Sequence, residues 1–236
     1  MTRLYAGTSG WAYASWKPGF YPPKLASAKF LSYYATRLNT VEVNYTFRAR
    51  VSAKLLAGWI QATPAHFKFA VKAHQRITHI LRLHSAARST SEFIASLEPL
   101  READRLGPVL FQLPPFMRCD TALLEDFLAT LPPGTRAAME FRHTSWFVDP
   151  VYERLRHANV ALCWAESEKL ETPDISTADF RYFRLRKPEY SASARKALER
   201  RISDSIGKGD VFVYFKHEDT PEGAFYAEAL GKNSKN

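Results

Sequence analysis

The chain has 236 residues, of which 46% are hydrophobic and 24% charged, and its formal net charge is +9 at pH 7. This length can bury a sizeable core, no segment approaches the apolar length of a membrane span, and the first residues lack the apolar region of a signal peptide. We therefore predict a soluble, cytoplasmic protein without a membrane association, whose two cysteines stay reduced and whose positive charge suits an anionic ligand or nucleic acid.

Strand-like and helix-like segments alternate along the whole chain. The first half predicts, in order, strand Leu4–Thr8, helix Ala28–Leu38, strand Val41–Asn44, helix Ala53–Gln61, strand Phe67–Lys72 and a long helical region at Thr90–Arg105. The second half predicts strand Val109–Leu113, helix Ala122–Leu131, strand Ala137–Phe141, helix Val151–His157, strand Val160–Ala165, strand Tyr182–Arg186, helix Arg195–Ile206 and strand Val211–Phe215. Turn sequences such as Leu106-Gly107-Pro108 separate helices from the strands that follow.

Eight parallel strands that alternate with helices are typical of an α/β fold of the TIM type, the (β/α)8 barrel. We predict one such domain over residues 1–230, with only a short last helix at Gly223–Leu230, followed by a polar tail at 231–236. The rival fold is an open doubly wound sheet. No G-x-G-x-x-G pattern follows the first strand, and Gly7–Gly10 leads into an aromatic loop, so the barrel is favoured.

Two acidic residues lie within predicted strands and are flanked by apolar residues. Alternation places Glu42 and Asn44 on one face of the second strand, and Glu140 opposite its apolar neighbours on the fifth, so both carboxylates face the barrel lumen. Such a pair can act as acid and base, bind a divalent metal, or be neutralised by arginine. Since Arg142, Arg184 and Arg186 share these faces, the alternative to catalysis is a satisfied network of ion pairs.

A metal site is a separate hypothesis. Carboxylate and histidine side chains of the type that binds divalent metals fall at predicted strand ends: Glu42, Glu140, His143, Glu166 and His217. Because lysine and arginine compete for the same carboxylates, we predict no metal or other cofactor and favour an anion bound by arginine, with Lys72 as a point charge.

Several loops that follow predicted strands carry further candidates. The loop after the first strand contains five aromatic residues, which could stack a base or sugar ring or form a hydrophobic plug over the barrel mouth: Trp11, Tyr13, Trp16, Phe20 and Tyr21. The plug is the interpretation we favour for at least three of them, and Trp146 could join either arrangement. A basic loop with His79 follows the third strand, and Gln112 places an amide at the end of the fourth.

The motifs together resemble those of the domain-of-unknown-function family 72, the YecE-like proteins. They include G-T-S-G-W from Gly7, N-T-V-E-V-N-Y-T-F from Asn39, G-P-V-L-F-Q-L-P-P from Gly107 and E-F-R-H-T-S-W-F from Glu140. This resemblance implies a TIM-type barrel with no firmly assigned activity. The matching motif residues are Trp11, Glu42, Asn44, Lys72, His79, Gln112, Glu140, Arg142, His143, Trp146, Asp179, Arg184 and Arg186. The chain departs from the family pattern at Lys216–Glu218, where the family has an asparagine-rich element, and at Glu166, where it has aspartate.

These features favour an enzyme of hydrolase, lyase or isomerase type that acts on an anionic, phosphorylated or carboxylated small molecule. Glu42 or Glu140 would be the base and His143 the acid. Substrate-binding candidates are Trp11, Asn44, Lys72, His79, Gln112, Arg142, Trp146, Arg184 and Arg186. The alternatives are a single-stranded nucleic-acid-binding protein that uses the basic run Arg181–Arg201, a metal-dependent sugar isomerase or nuclease, and an inactive scaffold.

Overall fold

Eight parallel strands close into one barrel, in sequence order around its wall. The computed structural model describes residues 2–166, 170–187 and 190–233. The strands are β1 (Leu4–Ser9), β2 (Thr40–Val43), β3 (Lys68–Lys72), β4 (Leu106–Gln112), β5 (Ala137–Glu140), β6 (Ala161–Glu166), β7 (Phe180–Leu185) and β8 (Asp210–Phe215). The predicted TIM-type fold and all eight predicted strands are confirmed.

Helices surround this barrel. They are α1 (Phe30–Arg37), α2 (Ala53–Gln61), α3 (Ala87–Ala95), α4 (Glu98–Glu102), α5 (Thr121–Leu128), α6 (Asp149–His157), α7 (Ala192–Ile206) and α8 (Glu222–Asn233). Side-chain caps fix several starts, since Ser52 accepts a hydrogen bond from the Leu55 amide and Asp120 one from the Leu123 amide. Within the described ranges, no helix has both the length and the apolar character needed to cross a bilayer.

Three predicted boundaries are wrong, and proline explains two of them. The region predicted as one helix at Thr90–Arg105 is two helices, because Pro99 lacks an N–H and fits only in the first turn of a new helix. Pro108, predicted in a turn, lies inside β4. The third error is at the C-terminus, where α8 is 12 residues long and reaches Asn233, beyond the predicted end at Leu230.

A bulge accommodates Pro108 within the sheet. Phe69 of β3 pairs with Leu106 of β4, whereas Val71 pairs with Val109, so β4 carries one extra residue at this point. Bulges are among the few places in a sheet where a residue without an N–H is tolerated.

The lumen is filled by large side chains on one side of the wall and small ones on the other. Aromatic rings enter from β1, β7 and β8: Tyr5, Phe180, Tyr182, Phe212 and Tyr214. Alanines face them from β3, β5 and β6: Ala70, Ala138, Ala161 and Ala165. The Tyr5 and Phe212 rings stack with centroids 4.6 Å apart. The lower lumen is thus a packed core, and polar chemistry is confined to the carboxyl ends of the strands.

Candidate anion site at the barrel mouth

Strand register brings the polar ends of neighbouring strands together. Ser9 of β1 lies beside Glu42 of β2, and Gln112 of β4 lies beside Glu140 of β5. Val41 and Val43 belong to the core between barrel and helices, so alternation turns Glu42 into the lumen as predicted.

Glu42, Glu140 and Arg184 form a sealed layer, here called the ion-pair floor. Both carboxylates have no solvent exposure, and the Arg184 side chain is 2% exposed. Its Nη2 donates to Glu42 Oε1 at 2.7 Å, and its Nη1 donates to Glu140 Oε2. One guanidinium therefore bridges two buried carboxylates that are 98 positions apart in the sequence (140 − 42).

Glu42 is held from several sides. The Ser9 and Tyr182 hydroxyls each donate to it at 2.7 Å, and Asn44 Nδ2 lies 3.4 Å from Oε1. Burial raises the pKa of Glu42, but Arg184 and these donors outweigh it, so the pKa falls below the ordinary 4.5. Burial and the nearby carboxylate raise the pKa of Tyr182, which keeps its proton and donates it.

Glu140 accepts from three guanidinium groups. Besides Arg184, it contacts Arg142 Nε, and Arg186 Nη2 lies 3.1 Å from its Oε1. Burial raises the pKa of this carboxyl, but the charges of Arg184 and Arg186 lower it by more, and the net pKa lies below 4.5. Both carboxylates are therefore ionised at neutral pH and engaged on both oxygens.

Lys72, Gln112, Arg142 and Arg186 form a second layer above the floor, here called the cationic rim. These residues are half-buried, and the Arg142 and Arg186 side chains are 25% and 15% exposed. Gln112 Oε1 lies 3.0 Å from Lys72 Nζ, 3.4 Å from Arg142 Nη2 and 3.5 Å from Arg186 Nη2. Arg184 Nη1 also approaches this oxygen, at 3.3 Å. One amide oxygen has two lone pairs, so it cannot satisfy four cationic donors.

Floor and rim together carry more positive than negative charge. Lys72, Arg142, Arg184 and Arg186 face the carboxylates of Glu42 and Glu140, which leaves a formal excess of two positive charges. The buried Nε atoms of Arg184 and Arg186 have no hydrogen-bond partner among the described residues. Phosphate or carboxylate oxygens bound at the rim would supply the missing negative charge and further acceptors for its partly exposed guanidinium groups.

Lys72 differs from the arginines around it. Burial, and after it the charge of Arg184, lowers the pKa of its amine to about 8. The ammonium lies 4.2 Å from the centre of the Phe47 ring, and the His79 imidazole packs edge-on against the same ring. Burial and Lys72 lower the pKa of His79, which stays neutral and contacts the Thr78 hydroxyl at 2.9 Å.

The structure leaves other predicted residues outside this cluster. His143 Nδ1 accepts from the Ser145 amide at 3.1 Å and contacts its hydroxyl at 2.9 Å, so it orders the loop after β5. Trp146 is fully buried, donates to Met117 O at 2.8 Å and stacks on Phe141. These contacts give Trp146 a packing role, while the assignment of His143 as the acid stays a prediction.

The aromatic loop after β1 contains three buried rings and two half-buried ones. Trp16, Phe20 and Tyr21 are buried, while the plug over the barrel mouth stays a prediction. They pack against α1, where Tyr21 stacks on Phe30 with centroids 4.2 Å apart. Trp11 is half-buried and packs edge-on against Trp59 of α2. The loop therefore fastens α1 and α2 to the barrel.

The remaining metal-ligand candidates are engaged elsewhere. Glu166 accepts from Tyr190 and pairs with Lys187 Nζ at 2.8 Å, and His217 Nε2 lies 2.9 Å from the Lys187 carbonyl oxygen. Over residues 2–166, 170–187 and 190–233, no three or more His, Cys, Asp or Glu side chains are grouped so as to hold a metal ion. The divalent-metal alternative stays a prediction.

Sequence reasoning did not identify two residues that donate to the floor, Ser9 and Tyr182. Both could have been found from register and alternation, since Tyr182 lies two residues before Arg184 on the lumen face of β7, and Ser9 ends β1 beside Glu42. Their hydroxyl groups complete the set of donors around the Glu42 carboxylate.

Comparisons with a family model, a sequence relative and solved structures all point to the same family. The family described as "Protein of unknown function DUF72" matches residues 5–235. The UPF0759 protein YunF of Bacillus subtilis (strain 168) is 34% identical over 174 residues, which are 70% of this chain; the match spans only 59% of that relative's length. A DUF72 family protein from Thermotoga maritima MSB8 aligns over 99% of this chain and 100% of its own, with 26% identity and a TM-score of 0.87. One from Enterococcus faecalis V583 aligns over 100% and 99%, with 18% identity and a TM-score of 0.79.

Proposed function

This chain belongs to the DUF72 family, and we propose that it is an enzyme that binds a small phosphorylated or carboxylated substrate at the C-terminal mouth of its barrel. The observation that supports this proposal is at the cationic rim, where its three cations and Arg184 of the floor share one amide oxygen. An anion is the ligand class that such a shortage of acceptors favours.

The two layers have different roles in this proposal. Arg142 and Arg186 bind the anion, because their guanidinium groups are partly exposed and present paired N–H donors. The floor orients these arginines through Glu140. The assignment of Glu42 or Glu140 as the base stays a prediction. Their burial and lowered pKa values support a positioning role. Hydrolase, lyase and isomerase chemistry all remain compatible with this site.

Anion binding tests the proposal directly. Melting temperature would be measured with and without inorganic phosphate and oxalate, because a ligand that binds only the folded state raises it. We expect a rise for the wild type and little or none for Arg186→Met, each protein being compared with itself. Arg154→Met is the matched control, since Arg154 pairs with Glu125 on the outer helices and should respond like the wild type. An Arg186→Met response equal to that of the wild type contradicts the proposal.

Binding of single-stranded nucleic acid is the competing hypothesis, and the net charge of +9 supports it. The run Arg181–Arg201 gives it less support, because Arg184 is buried and Arg181 and Arg201 both pair with Asp174. Nucleic-acid binding would weaken steeply as salt rises. Absence of binding at low salt, together with Arg186-dependent binding of oxalate, would decide in favour of the small-molecule site.

A further inference from the structure

We propose that Lys72 is the reacting group of this site, and that its amine forms an imine with the carbonyl carbon of an anionic aldehyde or keto acid. This inference rests on the proposed anion site and narrows its substrate class. The acid group of the substrate would be bound by Arg142 and Arg186, and the carbonyl would lie toward Lys72.

The first support is the pattern of ion pairs. Each arginine of the cluster contacts Glu42 or Glu140, whereas Lys72 has no carboxylate within ion-pair distance in the described part of the chain. Its hydrogen-bond acceptor is the neutral oxygen of Gln112. Nothing with a full negative charge therefore holds the proton on this amine by direct contact, and a neutral amine can still donate to Gln112.

Burial is the main cause of the lowered pKa of Lys72, and the surrounding charges act on it in both directions. Arg184 and Arg186 oppose protonation of the amine, while Glu140 and Glu42 favour it from behind the arginines that neutralise them. The neighbouring His79 is neutral because burial and Lys72 lower its pKa. The Phe47 ring lies 4.2 Å from the amine and adds to its burial, although the face of the ring also attracts the ammonium form. Lysines desolvated beside other cations are the ones that proteins use as nucleophiles at neutral pH.

The geometry suits a substrate with the acid group close to the carbonyl. Lys72 Nζ and Arg186 Nη2 lie 3.0 and 3.5 Å from the same Gln112 oxygen, so their separation cannot exceed the sum of these distances. Arg142 Nη2 is tied to the same oxygen at 3.4 Å. A small 2-oxo acid can therefore contact a guanidinium and the amine at once.

The reaction balances without an oxidant or reductant. The protonated amine first releases one proton to solvent. Its nitrogen lone pair then attacks the carbonyl carbon, a C–N bond forms, and the C=O π bond breaks to give a carbinolamine. The oxygen leaves as water together with the two amine hydrogens, which yields the imine.

Reductive trapping tests this inference. The whole protein would be treated at pH 7.5 with glyoxylate and cyanoborohydride, which supplies hydride to reduce the imine, and labelled lysines would be located by peptide mass spectrometry. We expect Lys72 to be labelled at least about tenfold faster than exposed Lys54 of α2, because Arg142 and Arg186 hold the acid group of glyoxylate beside it and burial lowers the pKa of its amine. Glycolaldehyde, an aldehyde without the acid group, should show a smaller preference for Lys72 than glyoxylate, because Arg142 and Arg186 cannot bind it.

Two variants complete the design. In Arg186→Met, labelling of Lys72 by glyoxylate should fall toward the glycolaldehyde rate while labelling of Lys54 is unchanged. Arg154→Met should match the wild type. Glyoxylate labelling of Lys72 no faster than that of Lys54 overturns the inference. If oxalate still binds in an Arg186-dependent manner in that case, the anion site stands and only the imine chemistry is lost; if oxalate does not bind either, both proposals fail.

Discussion

The ion-pair floor and the cationic rim lie next to each other in one barrel and both contain arginine, but only the floor is closed to solvent. In the floor, one arginine serves two carboxylates, and hydroxyl groups complete the Glu42 shell. In the rim, cations outnumber acceptors and stay partly exposed. Charge that is paired and buried specifies structure, whereas charge that lacks acceptors and is accessible is available to a ligand.

The largest expected effect comes from removing the charge that the floor shares. Arg184→Met leaves Glu42 and Glu140 buried without their common partner, and breaking a buried ion pair from one side costs about 3–5 kcal/mol. Urea denaturation at pH 7 would measure the loss in the free energy of unfolding. Arg154→Met, on the outer helices, should cost less than about 1 kcal/mol. A loss for Arg184→Met as small as that of this control would show that the floor is not a stabilising unit.

Acid should destabilise the floor. The pKa values of Glu42 and Glu140 are lower in the folded protein than the ordinary 4.5, so the folded state binds fewer protons than the unfolded one. The stability that these carboxylates contribute is complete above about pH 4.5 and is lost as pH falls through the folded-state pKa values.

Urea denaturation along a pH series measures this loss. Each carboxylate adds up to about 1.4 kcal/mol per pH unit to the slope. Glu140→Gln, which cannot titrate at this position, should give a shallower curve below pH 4.5 than the wild type. Parallel curves for the two proteins would mean that Glu140 does not account for the acid sensitivity.

Removing a single hydroxyl that donates to the floor should have an intermediate effect. Tyr182→Phe removes one donor from Glu42, which keeps Ser9 and Arg184, and we expect a loss of about 1–2 kcal/mol in the free energy of unfolding. Tyr5→Phe is the control in the same lumen, since Tyr5 stacks on Phe212 away from the carboxylates. Equal losses for both variants would assign the effect to packing and not to Glu42.

The smallest stability effect should come from the rim. Arg186→Met removes one of three guanidinium groups around Glu140 and leaves the two others, so we expect a loss of less than about 1 kcal/mol. The same urea titration measures it. A loss that approaches the effect of Arg184→Met would show that the two layers form one structural unit, and that the distinction between them is wrong.

The sequence was sufficient for the barrel, because eight apolar strands alternate with helices and the turns separate them. It was also sufficient to place Glu42, Glu140, Arg184 and Arg186 at one end of the lumen, since alternation along a strand is a local property. It could not give the partners across the barrel. The bridge from Arg184 to both carboxylates depends on how strands close in space, and the burial of Trp146 depends on tertiary contacts with Met117 and Phe141.

The bulge at Pro108 determines which side chains β4 presents at the mouth. Leu106 and Val109 both point outward although they are three residues apart, because the extra residue reverses the alternation between them. Leu110 and Gln112 consequently face inward beside Lys72. A regular β4 of the same length, with unbroken alternation from Leu106 onward, would instead turn the Gln112 amide into the helical layer and deprive the neighbouring cations of the oxygen that they share. One extra residue near the amino end of β4 thus determines which side chain reaches the site at the carboxyl end of the same strand.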